Sequence, residues 1–349
     1  MCGIAGFCST RRWLSPRVLK TMRDTLVHRG PDDAGLVAWD GQGLPVQDDE
    51  PAAVGLGHRR LSIIDPAAAG RQPLTNEDGR YTLVYNGEFY NFEDFVPDLC
   101  RKGHRFASRT DSEVILHLIE EEGIDRALAQ MNGMFAFAVW DRSTQTMILA
   151  RDRVGKKPLF YTLRPDGSLL FASEMKALLA SGAVDRQKID EAALVQSWQF
   201  GYAMGERTIF QDIRRLLPGH YAMWKDGRLT IRRYWDCPFG VDVRRPTSVD
   251  DLADELEALI ADAVRIRLKA DVPLGLFLSG GLDSSLIAAV TTRVVGKSLT
   301  AFTIRFDQQS YDESPWASQV ARHLGIEHRV LSVTEELRAS FPAIARQFD

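Results

Sequence analysis

Over the first two thirds of the chain, short apolar runs alternate with turn-rich pieces, and most of these runs have the length and period of strands. Gly3 to Phe7 reads as a short apolar strand. Ser15-Pro16 then supplies an N-cap with proline at the first helical position, and Leu19, Met22 and Leu26 recur along one helical face, so a helix is predicted to run toward His28. Further strands are predicted at 34–39 (AGLVAW), 61–65 (LSIID), 81–86 (YTLVYN), 134–141 (MFAFAVWD) and 146–152 (TMILARD). The segments YTLRPDGSLLFAS and HYAMWKDGRLTIRRYW each set Asp-Gly between apolar runs, the pattern of a tight hairpin. Helices are predicted from near Asp111 and over 190–200. The region is therefore α+β, with largely antiparallel sheets.

The pattern changes after Cys237. CPFGVDVRRPTSVD has prolines and charges with little periodicity and marks a linker over 237–250, between a domain at 2–236 and a second at 251–349. Behind it, helix and strand take turns. DDLADELEALIADAVRIRL is an amphipathic helix, VPLGLFLS a buried strand, LDSSLIAAVTTRVV a helix, LTAFTIRF a strand, DESPWASQVARHLG a helix and EHRVLSV a strand. Such alternation predicts an α/β domain with a parallel sheet. Three strands are few for a complete domain of that kind.

Composition narrows the class. A length of 349 residues suggests two domains, and 45% hydrophobic with 26% charged residues is the make-up of a globular protein. No stretch approaches the roughly 18 consecutive apolar residues of a membrane span, and the start lacks the features of a secretory signal, so a cytoplasmic location is expected. A net charge of −4 with interspersed signs argues against a nucleic-acid partner. The four cysteines, Cys2, Cys8, Cys100 and Cys237, form no C-x-x-C pair and no Cys/His cluster at zinc spacing, so neither a disulfide framework nor a structural zinc is expected. Cys8 and Cys100 fall on apolar patterns and read as core.

Cys2 is the unusual one. If methionine is removed, one residue owns both a thiol and a free amine, whose reference pKa values of about 8.5 and 7.7–8.0 permit proton transfer near neutrality. Taken alone, the residue reads equally as a small apolar start to a strand. Four distant stretches decide between these readings: HRGPD (28–32), HRRLSIID (58–65), YNGEFYN (85–91) and RTDSE (109–113). Together with MCGIAGF they resemble the class II glutamine amidotransferase domain, an N-terminal nucleophile hydrolase. The resemblance implies that Cys2 attacks the glutamine amide carbon with its own α-amine as base. It implies an oxyanion hole from the Asn86 side chain and the Gly87 N–H. It also implies a glutamine pocket in which Arg60 meets the carboxylate, Glu88 and Asp111 meet the ammonium, and the backbone of Leu61, Ser62, Ile63 and Ile64 forms a wall. Arg29 to Asp32 resembles the loop over glutamine, His28 reads as structural, and Arg59 reads as a surface ion pair.

In the second part, LFLSGGLDSS (276–285) runs an apolar strand through Ser-Gly-Gly into a helix, so that backbone N–H groups converge on an anion site. Gly280 and Gly281 allow close approach, while Ser279, Ser284 and Ser285 add hydroxyls. Asp283 near phosphate calls for a bridging Mg²⁺, or else caps the helix. GKS at 296–298 lacks the leading glycine of a Walker loop. SGGLDS resembles the pyrophosphate loop of ATP pyrophosphatases, which implies adenine contacts at Leu278 and Ile304.

Both parts in this order resemble the glutamine-hydrolysing asparagine synthetase family. That implies ATP and Mg²⁺, with glutamine and aspartate as the other substrates, and synthesis of asparagine by attack of released ammonia on an aspartyl-adenylate. A homodimer is considered as the assembly. The family's SGEGxDE-type motif is not in the sequence, so the second domain is expected to be incomplete. Amidation of another carboxylate, glutaminase activity alone, and a non-catalytic binding protein remain as alternatives.

Overall fold

The structure, a computed structural model, describes residues 1–239, 248–295, 299–333 and 337–347. The GKS triplet at 296–298 and most of the expected linker, at 240–247, lie outside the described residues. Two compact units emerge, Met1–Cys237 and Pro238–Phe348.

The first unit runs β1 (Gly3–Cys8), α1 (Pro16–Asp24), β2 (Asp33–Trp39), β3 (Val54–Arg60), β4 (Leu74–Thr75), β5 (Tyr81–Phe89), α2 (Val96–Arg101), α3 (Asp111–Gln130), β6 (Gly133–Asp141), β7 (Thr146–Arg151), β8 (Phe160–Leu163), β9 (Leu169–Ala172), α4 (Met175–Ala180), α5 (Glu191–Phe200), β10 (Arg214–Arg215), β11 (His220–Lys225) and β12 (Arg228–Arg233). Its strands form two antiparallel six-stranded sheets, ordered β10-β8-β9-β1-β3-β2 and β12-β11-β7-β6-β5-β4.

Alternation along the strands shows how the layers stack. On β6, Phe135, Phe137 and Val139 join Val114 and Leu118 of α3 in one core. Ala136, Ala138 and Trp140, on the opposite face, meet Ile4 and Leu56 of the other sheet in a second core. On β1, Ala5 and Phe7 face Leu19 and Met22 of α1 and Leu178 of α4 in a third. The order is helix, sheet, sheet, helix. The first turns of α3 are buried on every side, from Val114 to Ile119, and the helix breaks at Gly123 with φ +74°.

Several expectations need correction. Residues 61–65 form a loop rather than a strand, because the Arg60 guanidinium takes the carbonyls of Ile64, Asp65 and Ala67 that a strand partner would use. The neighbouring strand is β3, whose VGLGHRR carries too little apolar signal to be read as one. Cys100 is exposed, not core: α2 buries Leu99, and the next residue turns about 100° away. Cys8 is buried, as expected.

The second unit runs α6 (Val249–Arg267), β13 (Gly275–Phe277), α7 (Leu282–Val295), β14 (Thr300–Phe306), α8 (Ser314–Leu324), β15 (His328–Val333) and α9 (Leu337–Gln347). Its sheet is parallel, in the order β13-β14-β15. VPLGLFLS is not a buried strand: β13 lies at the sheet edge, and while Leu278 packs against Ala288 and Ala301, Phe277 points the other way and is 82% exposed.

Candidate active site

Cys2 lies directly ahead of β1 and lines a cavity of about 210 Å³, as do Arg60, Asn86, Gly87, Glu88 and Asp111. This volume falls below the roughly 300 Å³ floor of drug-sized pockets and matches a ligand of amino-acid size. Strand alternation explains the grouping. On β5 the odd positions Leu83, Tyr85 and Phe89 serve the α3 core, while Val84 faces the space between the sheets. Asn86 and Glu88 follow Val84 on that face. Gly87 pairs with Phe135, and a Cβ there would sit 2.5 Å from the Met134 carbonyl oxygen, so a larger residue would push β5 and β6 apart. Two side chains from the other sheet and its loop fix the strand: His58 Nε2 donates to the Tyr85 carbonyl at 2.9 Å, and Gln72 Oε1 accepts from the Tyr85 N–H at 2.6 Å. Burial holds His58 down at about 4, so it is a neutral tie.

The Cys2 sulfur accepts from the Leu61 N–H at 3.4 Å. Burial pushes the thiol above its ordinary value, and that N–H pulls it back. The Met1 amine is lowered, first by burial and then, against the raising effect of Cys2, by the cations Lys157 and Arg29. Asn86 is 1% exposed, and neither its amide nitrogen nor its amide oxygen has a hydrogen-bond partner. Such a group is costly to bury unless something else completes it.

The two carboxylates form an unbalanced pair. Asp111 opens α3 and accepts from Tyr85 Oη at 3.0 Å and from the Phe89 N–H at 2.8 Å, yet burial raises it to about 6. Glu88 is raised to about 8, by burial first and by the Asp111 charge second. A cation in the cavity would relieve both.

Other expected residues fall as follows. Leu61, Ile63 and Ile64 line the cavity, whereas the Ser62 N–H donates to Asp32 at 2.8 Å. Arg60 lines it too, with its guanidinium committed to the loop carbonyls named above. Arg59 reaches Asp24 at 4.0 Å. Arg29 donates to the Cys2 carbonyl at 3.0 Å and to Glu174 at 2.7 Å, and His28 Nε2 lies 3.0 Å from the same carboxylate. Sequence reading missed Glu174 and Lys157. The Lys157 side chain is buried and lines the cavity, and its ammonium is lowered by burial and supported by Glu88. A charged pair such as Lys156-Lys157 between strands reads as solvated loop, and no spacing flags it.

In the second unit, Ser279, Gly280, Gly281, Asp283, Ser284 and Ser285 form one turn from β13 into α7. Ser279 and Ser284 hydroxyls lie 2.9 Å apart, the Gly281 N–H donates to Ser279 Oγ at 3.2 Å, and Gly280 has φ +82°. Asp283 is exposed, and Ser285 Oγ is buried without a partner. Leu278 is packed in the core with both backbone groups bonded, its N–H to Phe302 and its carbonyl to Thr303. Ile304, on β14, is 46% exposed.

A family model described as a glutamine amidotransferase domain matches residues 1–235, and one described as asparagine synthase matches residues 255–349. Asparagine synthetase (glutamine-hydrolyzing) 3 of Bacillus subtilis strain 168 is 35% identical over 96% of this chain and 55% of its own length. Asparagine synthetase (glutamine-hydrolyzing) 1 of the same organism is 36% identical over 100% of this chain and 53% of its own. The chain thus spans about half the length of the curated relatives it matches. A solved glutamine phosphoribosylpyrophosphate amidotransferase from B. subtilis, complexed with ADP and GMP, superposes with a TM-score of 0.51 at 18% identity, over 97% of this chain and 70% of that one. At that identity the likeness is one of fold alone.

Proposed function

The chain belongs to the glutamine amidotransferase family over residues 1–235 and carries an asparagine synthase match behind them; on that premise we propose that its first unit hydrolyses glutamine at Cys2 and that the ammonia serves ATP-dependent synthesis of asparagine from aspartate. The observation that carries the first half is the unpartnered Asn86 amide, buried in the wall of the cavity that Cys2 enters.

Once methionine is removed, the Cys2 amine takes the thiol proton as sulfur bonds to the glutamine amide carbon. The resulting oxyanion receives the Asn86 side-chain N–H and the Gly87 N–H. Collapse of this intermediate breaks the carbon–nitrogen bond, and the amine's proton leaves with the ammonia. Water then cleaves the thioester to glutamate and returns the thiol. Glu88 and Asp111 hold the glutamine ammonium. Arg60 meets its carboxylate from a guanidinium already fixed by the loop, with Leu61 to Ile64 as the wall.

Asn86→Ala is expected to lower kcat for glutamate release by on the order of 10²–10³, with a much smaller change in KM, because the lost donor acts on the oxyanion. An equal loss in KM alone would remove Asn86 from that role.

The carboxylate pair adds a pH signature. Glutamine binding to Cys2→Ala protein is expected to tighten by about tenfold from pH 6 to pH 8 as Glu88 and Asp111 become charged, measured by titration calorimetry. Glu88→Gln should flatten that dependence. For stability the sign is opposite. The folded carboxyl keeps, up to about 8, a proton that the unfolded chain releases near 4.5. Stability therefore falls with rising pH across that window, and Glu88→Gln should raise Tm at its upper end.

For the second unit, the Ser279–Ser285 turn fits an anionic phosphate: its hydroxyls and N–H groups converge, and Ser285 Oγ awaits a partner. Leu278 and Ile304 would flank adenine. Exposed Asp283 would hold Mg²⁺, whose charge offsets that of the phosphates. The test is to incubate the protein with glutamine, ATP, Mg²⁺ and aspartate and assay AMP, pyrophosphate and asparagine. Glutamate release with no AMP would leave a glutaminase without the synthetase step. AMP with no asparagine would point to another acceptor acid.

A further inference from the structure

On α3 and the segments beside it, four side chains converge that the reaction above does not use. His117 and Glu120 are spaced i, i+3 on α3 and share a helical face. Glu77 comes from the turn after β4, and His104 from the segment between α2 and α3. One donor atom from each lies within 4.8 Å of all the others. His104 Nδ1 is 3.2 Å from Glu77 Oε1 and 3.9 Å from Glu120 Oε2, and His117 Nδ1 is 3.3 Å from Glu77 Oε2. None of the four lines the glutamine cavity.

His117 is fully buried, and neither ring nitrogen has a partner at hydrogen-bonding geometry. His104 has a carboxylate against each nitrogen, Glu77 at Nδ1 and Glu121 at Nε2, both 3.2 Å away. A neutral imidazole has one N–H, so one of these carboxylates faces a lone pair. Either a second proton or a metal cation at Nδ1 resolves that conflict, and a metal leaves Nε2–H to donate to Glu121, the carboxylate–histidine–metal arrangement. The same cation would meet His117 Nδ1, while His117 Nε2 faces Glu113 Oε1 at 3.9 Å. Two imidazole nitrogens with two carboxylate oxygens suit a four-coordinate transition metal, and bonds of about 2.0–2.1 Å set tetrahedral edges of about 3.3 Å, close to the shorter separations here.

We infer that Glu77, His104, His117 and Glu120 form a divalent transition-metal site of the Zn²⁺ class, pinning the β4–β5 turn and the segment before α3 onto that helix. Its role is structural: α3 carries Asp111 at its first position, so the pin steadies one wall of the glutamine cavity.

The test uses the full chain, stripped with chelator and dialysed against Zn²⁺, in a Cys2→Ala background so that the terminal thiol cannot account for the metal. One Zn²⁺ per chain by elemental analysis is expected, with a Tm that rises with Zn²⁺ concentration. Co²⁺ in its place should give the visible absorption of a tetrahedral centre. Glu120→Gln, at a partly exposed side chain, and His104→Gln, at a ring packed on His117, should each weaken Zn²⁺ binding by at least about tenfold. In the Cys2-intact chain, each variant should release glutamate at the parent rate when Zn²⁺ is absent, which shows that it folds. Sub-stoichiometric Zn²⁺ with no Tm response overturns the inference, as does binding that both variants retain.

Discussion

Cys2→Ala protein is expected to release no glutamate from glutamine above background, a loss of at least about a thousandfold in kcat. The sulfur is the one thiol lining the cavity among the described residues, and it lies within reach of the Leu61 N–H. The thioester cannot form without it. Glutamine should still bind, because Arg60, Glu88 and Asp111 are untouched, so calorimetry should give a dissociation constant within a fewfold of the parent's. ATP binding should also be unchanged, since the Ser279–Ser285 turn belongs to the other unit. Equal loss of glutamine and ATP binding would show that the substitution acts on folding. Persistent turnover would remove Cys2 from the mechanism.

Protein that retains Met1 should be nearly as inactive. The base in the proposed reaction is the amine on the residue that also owns the sulfur. With methionine in place that nitrogen is an amide and takes no proton, and the amine sits one residue further away on Met1, which itself lines the cavity. Intact mass separates the processed and unprocessed forms, and glutamate release from each decides the matter. Full activity with Met1 present would contradict the amine as base. Burial lowers the Met1 amine from its ordinary value, the direction that suits a base near neutrality.

Much of the active-site chemistry was legible in the chain, for a local reason. Glycines and polar residues break the apolar alternation in NGE, SGG and HRG, and interruptions of this kind mark turns and binding surfaces. Such a break alone names only a turn; Asn86, Gly87, Glu88 and Asp111 were readable through the resemblance that the motifs carry together, and the structure gathers them around one cavity with Cys2 and Arg60. The strands β1, β5, β6 and β7 were legible because each buries both faces or one, and their composition says so. Residues 61–65 misled because LSIID is apolar enough for a strand, while a single guanidinium from Arg60 diverts its carbonyls. Cys100 misled because a six-residue helix buries only one narrow face.

The sequence by itself determined the two-part order of the chain, the antiparallel and parallel character of its parts, and which residue types stand where chemistry is possible. These follow from the period of side chains along a strand or helix, which neighbours in sequence set. The tertiary structure decided which charges share a space: Lys157 with Glu88, Glu174 with Arg29 and His28, and Glu77 with His104 and His117. Those pairings join residues far apart along the chain. Their energies arise from burial and distance, and neither quantity exists until the layers have closed.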